Sequence, residues 1–173
     1  MDNKTFLILV IVCIITHLIR TVYEILKHKK ILKANTVSFV IMFANMFILW
    51  VSWVALCLND IERIALPGII RYTGVLLIGT GIVIFLMALF TIKTLESYEG
   101  DLITKGIYSK IRHPMYSGFI LWLIGFPVYY GAVYAFFLSF IFIANILLWR
   151  HLEEKELVER FPAYKDYRKL TLF

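Results

Sequence analysis

The chain has 173 residues, of which 61% are hydrophobic and 17% are charged, a composition that excludes an ordinary soluble domain and indicates a protein embedded in a lipid bilayer. Its net charge of +6 comes from basic residues that gather at the ends of apolar segments, a pattern typical of membrane orientation and not of nucleic-acid binding. Cys13 and Cys57 lie inside apolar runs away from potential ligands, so neither a disulfide nor a metal site is expected.

The first half of the chain contains three long apolar segments. They run from Phe6 to Leu26, from Val37 to Leu58 and from Pro67 to Ile92. Each is long enough to cross a hydrocarbon core of roughly 30 Å as a helix. The sequence therefore predicts three N-terminal membrane spans within residues 1–92.

Ionisable side chains occur inside the first of these spans. His17, Arg20 and Glu24 follow one another at helical spacings that can place them along one side of the helix. One interpretation is an Arg20–Glu24 pair that snorkels to the membrane interface. The other is that the three side chains line a polar cavity.

A fourth apolar region extends from Met115 to Trp149 without a charged side chain. It is too long for one helix across the bilayer and short for two. Gly125, Pro127 and Gly131 lie near its middle and predict a tight helical hairpin that turns there. The predicted fold is therefore an all-α polytopic membrane protein with five transmembrane helices, the last two forming the hairpin.

The distribution of Lys and Arg predicts the orientation in the membrane. Basic residues cluster between spans one and two, between spans three and four, and after span five. Because such loops stay on the cytosolic side, the N-terminus is expected outside and the C-terminus in the cytosol. The expected location is the cell membrane in a prokaryote or the endoplasmic reticulum in a eukaryote.

Polar residues concentrate in two segments that flank the hairpin, residues 93–113 and 150–169. An up-and-down pair of helices returns the chain to the side of the membrane where it started. The two segments are thus expected to form the walls of one cytosolic site. The whole chain, 1–173, is then a single domain in which residues 93–173 form the cofactor-binding, catalytic part.

Both segments contain residues suited to chemistry. Pro114 fits the first turn of span four and pushes His113 out of helical geometry, which presents His113 at a helix N-terminus that attracts anionic groups. In the second segment, Arg150, Glu153 and Glu154 share one helix face. Arg150 is suited to binding an anionic group through two hydrogen bonds. Taken separately, each segment has a simpler interpretation. The first could consist of ordinary interfacial polar residues, and the second could form an exposed ion pair on a solvated helix.

Taken together, the two segments resemble a known family. They combine an R-H-P-x-Y element at residues 112–116, an R-x-x-E-E element at 150–154 and an F-x-x-Y-x-x-Y element at 161–167, arranged around an apolar hairpin. This pattern resembles the isoprenylcysteine carboxyl methyltransferase family and the related phospholipid N-methyltransferases. The resemblance covers residues 95–168, while the first three spans contribute only their hydropathy.

The resemblance implies an S-adenosylmethionine-dependent membrane methyltransferase that esterifies the carboxylate of an isoprenylcysteine-like or other lipidic substrate. It assigns Arg150 to the methyl-accepting substrate, and Glu153 becomes a second catalytic candidate because an amine acceptor would have to lose a proton. The residues implied to line the cofactor pocket are Gly100, Asp101, Leu102, Ile103, Tyr108, His113, Pro114, Met115, Tyr116 and Glu154. The transfer requires no metal.

Three alternatives stay open on the sequence. One is N-methylation of a phospholipid or another amine. A second is an NADPH-dependent membrane sterol or enone reductase, a class that shares the Arg-His pair but commonly lacks the following proline and the R-x-x-E-E element. The third is a non-catalytic membrane scaffold with interfacial polar anchors. For either methyl acceptor, a hydrocarbon chain is expected to enter sideways from the bilayer, among the membrane lipids.

Overall fold

The computed structural model describes residues 3–32, 35–92 and 102–173, and within these ranges the chain is all-helical. The elements in chain order are α1 (Asn3–His28), α2 (Thr36–Leu58), α3 (Gly68–Ile92), a 3₁₀ helix (Gly106–Ser109), α4 (Pro114–Tyr130), α5 (Val133–Arg160) and α6 (Tyr164–Leu170). Among the described residues, β-structure is limited to isolated bridges, and no strand is formed. The all-α prediction is confirmed.

Helices α1, α2, α3 and α5 are long and apolar enough to cross a membrane. Helix α4 has 17 residues, which rise roughly 26 Å and fall slightly short of the hydrocarbon thickness. Four candidate spans are therefore found among the described residues, and a fifth span through α4 stays a prediction.

The surface of α3 shows why the chain belongs in lipid. Large apolar side chains point outward along this helix, for example Ile69 and Phe90, which are 77% and 75% exposed. A helix that is apolar on all sides and only slightly covered by protein is stable when lipid surrounds it. The protein is accordingly an integral membrane protein.

The core lies between α1, α2, α4 and α5. Its fully buried side chains include Trp53 and Leu56 from α2 and Ile146 and Trp149 from α5. Helix α3 stands outside this group and packs mainly against α4. The 3₁₀ helix rests on the end of α3, where Gly106 (φ +60°) is so close to the Thr91 hydroxyl that a Cβ atom would lie 2.8 Å from it. This contact fixes the segment that leads into α4.

Helices α4 and α5 form the predicted hairpin. The turn is made by Gly131, which has a left-handed φ of +65°, and a Cβ atom there would lie 2.2 Å from the carbonyl oxygen of Ile64. Only glycine satisfies both demands. The buried Asp60 accepts a hydrogen bond from the Ala135 amide at 2.8 Å, which satisfies a free donor in the first turn of α5.

Of the three residues that predicted the turn, Gly125, Pro127 and Gly131, the chain reverses at Gly131. Gly125 and Pro127 both lie inside α4. Pro127 is in the last turn of the helix, and its carbonyl accepts the Ala132 amide at 2.9 Å as the chain reverses. Gly125 contributes to packing against α3 and not to the reversal.

Paired glycines bring α3 and α4 into close contact. A Cβ atom on Gly74 would lie 2.6 Å from the backbone nitrogen of Tyr129 and 2.8 Å from the carbonyl oxygen of Gly125, and one on Gly81 would lie 2.8 Å from the carbonyl oxygen of Gly118. Such approach of two backbones is how small residues stabilise helix pairs in membranes.

Gly79 provides a matched control for Gly74. It lies on the same helix, yet a Cβ atom at this position would meet nothing within 4 Å. We expect Gly74→Ala to lower the free energy of unfolding by about 1–3 kcal/mol, because the added methyl group must displace backbone. Gly79→Ala should leave it unchanged or slightly higher, since alanine favours a helix. Thermal unfolding in detergent measures both, and equal midpoints for the two variants would contradict this packing.

Candidate active site

The hairpin brings the start of α4 next to the end of α5. His113 caps α4, and its Nε2 atom lies 3.4 Å from Oε1 of Glu154. Its Nδ1 atom lies 3.6 Å from Oε2 of Glu153. The two polar segments, separated by the whole hairpin in sequence, therefore meet at one end of the helix bundle.

Glu154 is the most densely paired residue of this cluster. Its side chain is 9% exposed and lies near three cations: Arg112 Nε at 3.3 Å, His113 Nε2 at 3.4 Å and Arg168 Nη1 at 3.8 Å. A carboxylate with this little solvent remains charged only where nearby cations and hydrogen bonds replace water. Glu154 thus joins the entrance of α4, the end of α5 and α6.

Arg112 also holds the C-terminal segment in place. Its Nη1 atom donates to the carbonyl oxygens of Arg168 at 2.9 Å and of Thr171 at 2.5 Å. Its backbone amide donates to the carbonyl of Leu172 at 3.0 Å, and the Leu172 amide donates to the carbonyl of Lys110 at 2.8 Å. The last residues therefore run alongside the segment that precedes α4.

Two tyrosines of the F-x-x-Y-x-x-Y element attach α6 to the site. The Tyr164 hydroxyl lies 3.3 Å from Nε2 of His113, and the Tyr167 hydroxyl donates to the carbonyl of Tyr108 at 2.5 Å. Burial, together with the nearby carboxylate of Glu154, raises the pKa of Tyr164. Burial likewise raises the pKa of Tyr167. Both hydroxyls thus keep their protons at neutral pH.

His113 sits between two carboxylates and beside an aromatic ring. Burial on its own would lower the pKa of His113, but the hydrogen bonds and negative charges of Glu153 and Glu154 outweigh it and raise the pKa above its ordinary value. The imidazole stacks on Tyr116 with ring centroids 5.7 Å apart. The cluster thereby combines acidic groups with a flat aromatic surface.

Arg150 lies one turn before the two glutamates on α5. Its guanidinium carbon is 4.5 Å from the ring centroid of Phe173, a cation–π contact. Its Nε atom is buried and has no hydrogen-bond partner among the described residues. Glu153 and Glu154 pair with other cations, so Arg150 presents a buried donor that a bound anion can accept.

The remaining predicted pocket residues lie before α4 and in its first turn. Pro114 is buried in the first turn of α4, and the partly buried Met115 follows it. Leu102 and Ile103 are partly buried in the irregular segment before the 3₁₀ helix that carries Tyr108. Gly100 and Asp101 lie outside the described residues, so their predicted role stays a prediction.

Sequence reasoning missed several contacts of the site. Arg112 and Tyr164 were recognised only as members of motifs. The signal that could have placed them in the site was their closeness in sequence to His113 and to Glu154. Phe173 gave no signal, because a single aromatic residue beyond the last motif has no periodicity.

The arrangement suits a ligand that carries both donor groups and an anionic group. Carboxylates accept hydrogen bonds from hydroxyl or ammonium groups, and a free arginine donor binds an anionic group. The hydroxyl and ammonium groups of S-adenosylmethionine are such donors, so the polar residues present fit that cofactor.

One comparison with known proteins gives a match. Residues 69–164, 96 of the 173 in the chain, match the family model described as phospholipid methyltransferase. The matched region begins in α3 and ends at the first residue of α6, while α1 and α2 precede it. No curated protein and no solved structure gives a significant match.

The raised pKa of His113 predicts a pH-dependent stability. The folded state favours the protonated form of His113. This group therefore stabilises the fold fully below its unfolded-state pKa of about 6.5, and the stabilisation is lost as the pH rises through the higher folded-state pKa. The thermal midpoint of the wild type should fall over that interval. The His113→Gln variant should not show this fall of the thermal midpoint. Thermal unfolding across the interval tests it, and the same pH dependence in both proteins would contradict the assignment.

Proposed function

We propose, because the chain belongs to the phospholipid methyltransferase family, that this membrane methyltransferase transfers a methyl group from S-adenosylmethionine to a lipidic acceptor at the cluster around His113 and Glu154. The observation that carries the proposal is the meeting of His113 with Glu153 and Glu154 at the end of the hairpin. All three residues lie inside the matched region. The match also favours methyl transfer over NADPH-dependent reduction and over a scaffold role.

S-adenosylmethionine, when bound, supplies a methyl group on a positively charged sulfur, which the acceptor atom takes while the cofactor leaves as a neutral thioether. The protein's task is to align the acceptor and to exclude water. In the proposed site, Glu154 accepts hydrogen bonds from the cofactor's hydroxyl or ammonium groups. Tyr116, the partly buried member of the ring stack with His113, provides the surface for its adenine.

The acceptor that this arrangement favours carries a carboxylate. The free Nε of Arg150 is a buried donor one turn from the glutamates, and its cation is balanced by the Phe173 ring and not by a carboxylate. An anionic acceptor group therefore finds a partner there. Leu147 and Leu148, one turn earlier on α5, expose apolar side chains, along which a prenyl or other hydrocarbon chain can lie in the bilayer.

N-methylation of an aminophospholipid is the second candidate. Glu153 supports it, because its side chain is 38% exposed at the edge of the cluster and a carboxylate there attracts a cationic headgroup. An amine must also lose a proton before or during transfer. The two candidates share the cofactor and differ in the charge of the acceptor.

The proposed orientation places this cluster at the cytosolic membrane surface. Lys27 and Lys30 at the end of α1 pair with Glu156 and Glu159 at the end of α5, so the end of the bundle that contains the cluster is also rich in basic residues. Basic loops favour the cytosolic side. The cell membrane of a prokaryote or the endoplasmic reticulum of a eukaryote fits this orientation.

Transfer of labelled methyl groups distinguishes the acceptors. The purified protein is incubated with methyl-labelled S-adenosylmethionine and, in separate reactions, a farnesylcysteine derivative, a prenylated thiol without a carboxylate and an aminophospholipid. We expect label on the farnesylcysteine derivative that base releases as methanol, because esters hydrolyse in base and N-methyl groups do not. Base-stable label on the phospholipid would instead establish the amine reaction. Label on none would contradict the proposal.

Glu154 and Arg150 should separate cofactor binding from turnover. We expect Glu154→Ala to weaken binding of S-adenosylhomocysteine by about 10- to 100-fold, because a charge-assisted hydrogen bond is lost. Arg150→Ala should retain binding and lose turnover. Isothermal titration and the methyl-transfer assay measure these effects.

Glu159→Ala is the control for Glu154. Glu159 lies on the same helix and forms only an exposed pair with Lys30, so this variant should bind like the wild type. Because Glu154→Ala leaves buried cations without their partner, its thermal midpoint is measured beside its affinity. A folded Glu154→Ala protein with wild-type affinity would refute the assignment.

A further inference from the structure

The residues after α6 fold back along the segment that precedes α4. Thr171 has an extended backbone, with φ −129° and ψ 150°. The Arg112 amide donates to the carbonyl of Leu172 at 3.0 Å, and the Leu172 amide donates to the carbonyl of Lys110 at 2.8 Å. Residues 171–173 therefore form a strap that its backbone hydrogen bonds fix in place, whatever its side chains do.

The side chains of the strap alternate between outside and inside, as they do in any extended segment. Leu172 is 73% exposed. Thr171 and Phe173, on either side of it, are partly buried, and the Thr171 hydroxyl donates to the carbonyl of Tyr167 in α6 at 2.8 Å. This alternation turns the Phe173 ring towards the helix bundle.

The strap connects the two charged residues of α5 that the proposed function uses. At one end, Arg112 donates from Nη1 to the Thr171 carbonyl at 2.5 Å, and its Nε atom lies 3.3 Å from Oε1 of Glu154. At the other end, the Phe173 ring centroid lies 4.5 Å from the guanidinium carbon of Arg150. Four helical residues rise about 6 Å and two extended residues cover about 7 Å. These lengths agree with a strap that follows one turn of α5.

The charge of Arg150 has no ionic partner in the part of the chain that the structure describes. The ion pairs there involve other residues, and the buried Nε atom has no acceptor among them. A partly dehydrated cation without a partner is costly. The Phe173 ring offsets part of that cost through its π-electrons, but unlike a carboxylate it leaves the positive charge uncompensated.

A ring and an anion would use different parts of the guanidinium group of Arg150. An aromatic ring stacks on the flat face, whereas a carboxylate accepts hydrogen bonds from the N–H groups at the edge. The Phe173 ring and an acceptor carboxylate can therefore be bound at the same time. By restricting a long side chain before the acceptor arrives, the ring lowers the ordering cost of binding.

Packing by itself does not explain the position of Phe173. The strap is already held by backbone hydrogen bonds and by the Arg112 side chain. Within the described residues, the Phe173 ring lies outside the hydrophobic core, and the ring contact found for it is with a cation. The position is therefore that of a residue that acts on Arg150.

We propose that Phe173 is a positioning residue for the methyl acceptor: held by the strap, its ring fixes the Arg150 guanidinium and keeps the positive charge available for an anionic group of a lipidic acceptor. This role rests on the proposed function and deepens it by favouring a carboxylate over an amine. Phe173 lies beyond residues 69–164, which match the family model. The acceptor side of the site thus uses a residue that the family model does not cover.

The test compares Phe173→Leu, Phe173→Tyr and the control Leu170→Ala. Leucine keeps an apolar side chain without a ring, tyrosine keeps the ring, and Leu170 at the end of α6 is 82% exposed. We expect Phe173→Leu to bind S-adenosylhomocysteine like the wild type. Its kcat/KM for the farnesylcysteine derivative should fall by roughly 3- to 30-fold, chiefly through KM, because that is the range a cation–π contact supplies. Phe173→Tyr should recover most of this loss, and Leu170→Ala should behave like the wild type.

Phe173→Glu tests the charge directly. A carboxylate in place of the ring would pair with Arg150 and compete with an anionic acceptor. We therefore expect a larger fall in kcat/KM than for Phe173→Leu, again with unchanged binding of S-adenosylhomocysteine. An equal or smaller fall would overturn the proposal that the uncompensated charge of Arg150 binds the acceptor.

A merely structural role of Phe173 would give a different pattern. Phe173→Leu would then lower the thermal midpoint and reduce cofactor affinity together with kcat/KM. Wild-type kcat/KM in a folded Phe173→Leu protein, or no recovery with tyrosine, would overturn the positioning role.

A double-mutant cycle measures the contact without catalysis. Thermal unfolding of Arg150→Met, Phe173→Leu and the double variant should show effects that do not add, because the two side chains touch. Additive effects would overturn the positioning role even in an active enzyme. If label appears only on the aminophospholipid and is base-stable, methyl transfer stands and the role of Phe173 fails. If the wild type neither binds S-adenosylhomocysteine nor transfers methyl groups, the proposed function fails, and the role of Phe173 fails with it.

Discussion

The structure depends on the burial of one carboxylate, that of Glu154, at the end of the helix bundle. A nearly dehydrated anion is stable only with cations around it, and these come from segments that sequence separates widely: Arg112 and His113 before α4, and Arg168 from α6. The ionic contacts hold α6 and the C-terminal residues against the hairpin. Folding of this end and assembly of the proposed site are therefore the same event.

The rest of the molecule follows from lipid as the solvent. With no hydrophobic force between helices in a bilayer, close packing must provide the attraction, and the glycine pairs of α3 and α4 allow it. The ionic cluster around Glu154 lies at one end of the bundle, and further polar groups line one side of α1. The proposed chemistry lies where the hairpin ends.

Family membership rests on α3 to α6, and α1 packs against α5 outside the matched region. The motif residues supply both carboxylates and the aromatic stack, whereas α1 contacts α5 through Thr21 and Lys27. The free donor of Arg150 and the partly exposed Glu153 differ in the acceptor charge that they favour.

The sequence by itself determined the all-α architecture, the long apolar helices, the hairpin and the placement of His113 at a helix start. These features depend on local physics: the length of an apolar run against the bilayer, the helical period, and the backbone restrictions of proline. The R-x-x-E-E spacing likewise placed Glu153 and Glu154 one turn from Arg150, and the hairpin brought them to His113 as expected.

Tertiary structure alone decided the contacts that depend on which helix faces meet. The reversal occurs at Gly131 and not near Gly125, because the Ile64 carbonyl approaches that residue from the α2–α3 connection. Arg150 lies under Phe173, and Arg20 lies beside Trp149 of α5 as well as its own i, i+4 partner Glu24. Hydropathy cannot encode such pairings, since they join residues far apart in sequence whose contact is set by rotation of the helices about their axes.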